Sequence, residues 1–269
     1  MEQHRTGRIL ATFARSAYLD FDGAIVALVT EDLLNGPLNV VLPAEPAPPF
    51  DRLTAGRTVT ASAEAIRIEG WPPVSVLDAA CWDPRITPWT TAEMARATTH
   101  LGVLTDVVMA DAPTDHLTHP RLQRGLAALE SGLTARSSTD VDNAAADLAG
   151  LGGGLTPTGD DILVGVLVVL AAVADGQIQI LRNAIHDAVA GRTTRISAAY
   201  LDAAARGEAS EAWHRLLTAL AGNEPDEVIE AGRRVRTYGE TSGTDMLAGF
   251  LSGMGAFGVP QRPATGLPK

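Results

Sequence analysis

Gly150-Leu151-Gly152-Gly153-Gly154-Leu155-Thr156-Pro157-Thr158-Gly159-Asp160-Asp161 runs without a break into the apolar stretch Ile162–Ala174. Five of these twelve residues are glycine. Glycine costs conformational entropy on ordering, so such a cluster needs a reason, and close approach of backbone to a ligand is one. The stretch after it is apolar on all sides, which marks a helix in the centre of a folded unit. It is shorter than the roughly 20 residues needed to cross a bilayer. Thr158 has the type and position of an N-cap, and Asp160 and Asp161 would fill the first turn, where carboxylates complement the helix dipole. Two readings of the carboxylates stay open. They cap a buried helix, or, because buried charge demands partners, they face substrate or a metal. Successive amides of Gly152, Gly153, Gly154 and Gly159, with the hydroxyls of Thr156 and Thr158, would suit phosphate or carboxylate. Neither a Walker loop nor a dinucleotide fingerprint is present.

A second copy follows. Thr158-Gly159-Asp160-Asp161-Ile162-Leu163-Val164-Gly165 aligns without a gap on Ser242-Gly243-Thr244-Asp245-Met246-Leu247-Ala248-Gly249. Hydroxyl, glycine, aspartate, leucine and glycine recur at the same offsets, with Ser242 as the cap of the second helix. The inner glycines permit close crossing of helix axes. The expectation is that the two helix starts converge and bring Asp161 near Asp245, as an acid–base pair or as a Mg2+ site; no cofactor is required by the first option. A duplicated packing motif is the alternative. Between the copies, Gly191-Arg192-Thr193-Thr194-Arg195-Ile196-Ser197 offers a cap at Thr193 or Thr194, Ser197 one turn further on the same side, and guanidinium groups at Arg192 and Arg195 that suit an anion. A solvated helix start explains the same residues. His116 and His119 have a weak metal-ligand spacing.

Outward from this centre the pattern is helical. Helices are expected over 91–109, with a capping box at Thr90 and Glu93, and over 120–135, 139–149, 159–174, 178–190, 193–205, 208–221, 225–237 and 242–257. Before residue 90 the chain reads as β-rich, with strands at 24–30, 38–42, 58–60, 65–68 and 74–77. The prolines and tryptophans between Trp71 and Trp89 read mainly as packing between two units. The predicted fold class is α+β: a β-rich N-terminal domain over 1–90, as an antiparallel sheet or barrel, then an all-α domain over 91–259, then a loose tail over 260–269.

Composition narrows the function. The chain is 46% apolar and 20% charged, ordinary for a globular protein, and its formal charge of −11 argues against nucleic acid or an anionic membrane surface as partner. Cys81 is the only cysteine, so no intrachain disulfide forms, which with no secretory signal pattern fits a cytoplasmic protein. A Gly-x-Ser-x-Gly signature is absent.

The string Gly154–Asp161, with Leu163 and Gly165, resembles a bacterial family whose named member is the H subunit of oxamate carbamoyltransferase. Asn35-Gly36-Pro37, Trp82-Asp83-Pro84, Thr193-Thr194 through Ser197, and Ser242-Gly243 with Asp245 carry weaker likeness. The resemblance implies a role in allantoin and purine breakdown, in a complex that splits oxalurate with phosphate to oxamate and carbamoyl phosphate. It implies other carbamoyltransferase subunits as partners; association with further copies of itself is open. These substrates are small anions, which the glycine turn, Arg192, Arg195 and the hydroxyls of Thr156, Thr158, Ser197 and Ser242 would hold, with Asp160, Asp161 or Asp245 managing a proton. The rival readings are a Mg2+-dependent hydrolase of a phosphate or ribosyl compound and a non-catalytic scaffold.

Overall fold

The computed structural model describes residues 4–44, 50–110 and 115–258. Its N-terminal part, from Arg5 to Ser75, is a sheet. Strands β1 (Arg5–Phe13) and β2 (Ser16–Phe21) form an antiparallel hairpin, and β3 (Ala24–Thr30) pairs antiparallel with β2. Asp22 and Gly23 join β2 to β3 with φ of 54° and 98°, the left-handed pair whose twist matches that of flanking strands. β4 (Asn39–Leu42) lies beside β3, β5 (Thr58–Ala61) beside β1, and β6 (Ala65–Ile68) and β7 (Val74–Ser75) continue from β5. The order is β4-β3-β2-β1-β5-β6-β7.

Two features depart from the expectation. The sheet is mixed, because β4 runs parallel to β3, and β4 and β7 stand at opposite edges, so it is open. Moreover its two central strands, β1 and β2, are the ones whose apolar pattern is diluted. β1 begins Arg5-Thr6-Gly7-Arg8, and β2 buries Asp20.

Alternation gives the sheet two working faces. Ala17, Leu19 and Phe21 of β2 join Ile9, Leu28 and Phe50 in one apolar core. Ser16, Tyr18 and Asp20 point the other way, beside Val29, Ala27 and Ile25 of β3. Contacts of Tyr18 and Asp20 with residues 195 and 200 show that this second face meets the helices.

Ten α-helices follow among the described residues: α1 (Thr91–Thr99), α2 (Leu101–Met109), α3 (Pro120–Thr134), α4 (Ser138–Leu148), α5 (Thr158–Ala172), α6 (Ile178–Val189), α7 (Arg195–Ala205), α8 (Glu211–Ala221), α9 (Pro225–Arg236) and α10 (Ser242–Gly258). The Thr90–Glu93 capping box starts α1 as expected. The single helix expected over 91–109 is interrupted at His100, whose N–H closes on Ala97 O and whose Nδ1 meets Leu220 O at 3.2 Å. The chain between sheet and helices lies along the helical part: Trp89 N donates to Ala172 O, and its indole N–H to Leu217 O. No helix among the described residues is long and apolar enough to cross a membrane.

Helix α5 is the axis. From Gly159 to Ala172 only Val164 is not buried. One side of α5 packs with Leu129, Leu133, Leu148 and Ile185, the other with Trp213, Leu247, Phe250 and Met254. Full burial of each large side chain contributes about 1.5–3 kcal/mol. α10 crosses α5 backbone to backbone. A methyl group on Gly165 would lie 1.9 Å from Met246 O, and one on Gly249 2.0 Å from Ile162 O. Only glycine allows this approach, and the two contacts are reciprocal in the aligned copies.

Candidate functional site

Residues 149–157 link α4 to α5. Gly150, Gly152 and Gly154 all have positive φ, at 69°, 125° and 87°, so the turn needs glycine for its path. Part of this need comes from protein rather than from ligand. A side chain on Gly150 would strike Arg192 O, one on Gly152 would strike Thr158 N, and one on Gly159 would strike Leu148 O. Gly153 and Gly154 face open space. Gly152, Gly153 and Thr158 border a groove of about 650 Å3, closed on its other side by His119 and Arg121 at the start of α3. There His119 Nδ1 accepts from Arg121 N and caps α3. The side chain of His116 lies outside the described residues. Among the described residues no group of three or more His, Cys, Asp or Glu has an arrangement that would hold a metal ion.

The caps shift by one residue from the expectation. Pro157, extended at ψ 144°, holds the N-cap position of α5 with no side-chain cap, and Thr158 is the first helical residue. Asp160 N and Asp161 N both bond to Pro157 O. Ser242 is likewise the first residue of α10, with Asp245 N bonded to Thr241 O. Proline at 157 offers a carbonyl and a preset backbone but no side-chain acceptor, so the hydroxyls on either side are released for other bonds. Thr156 Oγ1 and Ser242 Oγ hydrogen-bond to each other at 2.9 Å, tying the two helix starts together. Gly243 brings α10 against the end of α9, where a side chain would meet Val235 O at 2.3 Å.

Thr194 caps α7. Its hydroxyl accepts from Ser197 N and donates to Leu155 O at 2.5 Å, which fastens α7 to the glycine turn. Ser197 is buried, at 2% exposure. Thr193 Oγ1 donates to Asp160 Oδ2, while Asp160 Oδ1 accepts from Gly150 N at 2.8 Å. Asp160, 1% exposed, is thereby a brace between the turn and the loop before α7, with both oxygens engaged. Arg195 is engaged too: it forms an ion pair with the buried Asp20 of β2. Arg192 is exposed at the surface end of the same loop.

Asp161 differs from all of these. It is 6% exposed, and its Oδ2 is buried without a hydrogen-bond partner. Burial pushes its carboxyl up to about 8, and the charge of fully buried Asp245 pushes the same way, while Ser242 and Thr156 hydroxyls pull back. At neutral pH Asp161 therefore carries a proton. The two aligned helix starts converge, through the Thr156–Ser242 bond and the Gly165 and Gly249 crossing, close enough for the charge of Asp245 to act on Asp161.

Aromatic residues that the sequence pattern does not single out carry phenols whose titration feels Asp161. Tyr18 of β2 and Tyr200 of α7 face each other, hydroxyl to hydroxyl at 3.2 Å, with rings edge to face. Tyr238, just after α9, donates to Leu33 O. These are all three tyrosines of the chain. Burial pushes each phenol up, and the charge of Asp161 adds to the shift of Tyr18 and Tyr200. Their scarcity in a chain only 4% aromatic is the signal that could have singled them out.

Residues 148–254 match the family model described as oxamate carbamoyltransferase subunit AllH. The matched span contains the glycine turn, both aligned helix starts and α7, and supports the family to which the Gly154–Asp161 string points. No solved structure matches the chain.

Proposed function

We propose that this chain is a subunit of a carbamoyl-transferring enzyme of the oxamate carbamoyltransferase kind, working with other subunits, and that it supplies the acid of the reaction through Asp161. The observation that carries the reading is a buried carboxyl with one oxygen unpartnered at the meeting point of two helix starts, a burial that raises its pKa to about 8. In the phosphorolysis of oxalurate, a phosphate oxygen forms a bond to the ureido carbonyl carbon, and the bond from that carbon to the oxamate nitrogen breaks. The leaving nitrogen needs a proton. Asp161 would give it and regain one from the hydrogen phosphate, so atoms and charge balance over the cycle. A carboxyl near the working pH suits both transfers. The hydroxyls of Thr156 and Ser242 and the amides of the open Gly153-Gly154 arc would hold the anions.

Thermal stabilisation by oxalurate, oxamate, phosphate or carbamoyl phosphate, measured on the chain alone and with its companion subunits, tests this. Each ligand at a hundredfold over its Kd adds about 2.7 kcal/mol. No shift with any of them in either setting would refute it.

The same unpartnered oxygen favours a second reading, Mg2+ bound by Asp161 and Asp245 with hydroxyl help. It requires Asp161 ionised where the first requires it protonated. Mg2+ affinity lost in Asp161→Asn would support the metal, and an unchanged affinity would remove it.

A further inference from the structure

β2 and α7, far apart in the chain, meet near the glycine turn. Thr194 ties α7 to Leu155 of the glycine turn, and Arg195 ties the same helix to Asp20 of β2. Between those two anchors Tyr18 and Tyr200 meet. Hydrogen-bond bookkeeping makes this pair unusual. Two hydroxyls bonded to each other use one of their two protons; among the described residues the other has no acceptor. The charge of Asp161 reaches both phenols, and Asp161 is itself nine-tenths buried with an unpartnered oxygen. Of the cations, Arg195 is committed to Asp20, Arg192 is exposed, and Arg121 borders the groove from the start of α3. What the site offers is a set of neutral O–H donors. Such donors in a water-poor setting bind carbonyl and carboxylate oxygens without the desolvation cost of a buried cation.

We infer that Tyr18 and Tyr200 are ligand-contacting hydrogen-bond donors, recognising the carbonyl or carboxylate oxygens of a small amide-bearing anion opposite Asp161. The sheet is then part of the site. This inference rests on the reading of the site as one for oxamate-like anions and adds to it the residues that read the ligand. A phenol pair closed on itself leaves one proton without an acceptor, which a bound carbonyl or carboxylate oxygen would supply.

Sodium oxamate is the probe, titrated into the intact chain by calorimetry and by near-ultraviolet difference spectroscopy. With only three tyrosines in the chain, this pair and Tyr238, a tyrosine difference signal draws on the pair for two of its three possible sources. Expected results are a saturable tyrosine signal in the native chain and about tenfold weaker oxamate binding in Tyr18→Phe and in Tyr200→Phe, the weight of one lost hydrogen bond. The spectroscopic arm uses the unmutated protein, so it stands even if a variant folds poorly. Oxamate binding with no tyrosine signal and unchanged affinity in both variants would overturn the inference and leave the acid role of Asp161 intact. Oxamate, phosphate and carbamoyl phosphate all failing to bind, with companion subunits present, would overturn both.

Discussion

The junction before α5 and the junction before α10 share a frame and differ in their contents. Each starts a helix with hydroxyl and glycine, places an aspartate in the first turn, and sets a second glycine where the helices cross. Gly159 rests on the end of α4 as Gly243 rests on the end of α9. The first junction, 149–157, is rich in glycine and carries Asp160 as a brace; the second, 237–241, is shorter and has Thr244 where the first has Asp160. The shared residues build the crossing. The unshared ones open the space beside it. The aspartates common to both, Asp161 and Asp245, are where packing and chemistry meet.

The largest expected effect separates those two aspartates from the frame. Asp161→Asn should lower activity about 10²–10⁴-fold, as loss of a general acid does, and yet raise stability. The sign follows from the carboxyl standing at about 8 when folded, above its ordinary 3.8. Below pH 4 both states are protonated and nothing differs. Between pH 4 and 8 the unfolded chain releases the proton that the folded one keeps, so stability falls as pH rises, by up to about 4 kcal/mol at pH 7. The midpoint of thermal unfolding should therefore decline over that range in the native chain and stay flatter in the variant. A variant less stable at pH 7 than at pH 4 by as much as the native chain would contradict the assignment.

Gly165→Ala and Gly249→Ala probe the frame itself. Each adds a methyl group onto a carbonyl oxygen across the crossing, and each should cost about 3 kcal/mol, against a gain of about 1 kcal/mol in helix propensity. Denaturant unfolding of both variants checks this. Intolerance at one position alone would break the reciprocity of the copies. Asp160→Ala comes next. It strands the Gly150 N–H and the Thr193 hydroxyl and should cost about 1–3 kcal/mol, while Thr244→Ala in the second copy should cost less. The smallest effect is Gly153→Ala. Nothing stands within 4 Å of the new group, so its stability should be unchanged or higher by about 0.4–1 kcal/mol. A drop in ligand protection there, with stability kept, would show that the open arc faces ligand.

Much of this was legible beforehand. The helices announce themselves through starts at Pro120, Pro225 and the Thr90–Glu93 box and a stop at Gly222, and the apolar stretch after Asp161 marks the central helix. The convergence of the two copies could be read because glycine at 165 and 249 has no local purpose. The central strands were hidden because their polar residues, Asp20 above all, find partners on a helix far along the chain. The caps slipped by a residue because Pro157 substitutes backbone geometry for a side chain. The tyrosines were out of reach because Tyr18 and Tyr200 belong to one place only after the sheet has docked on α7.

The Arg195–Asp20 tie has a consequence for any attempt to reduce the protein to its recognisable portion. A fragment trimmed to residues 148–254 would keep Asp161, Asp245 and Tyr200 and forfeit Tyr18, leaving Arg195 without its counter-ion. The smallest unit that retains every contact described at the helix starts therefore begins with the N-terminal hairpin, whose second strand fastens there like a buckle.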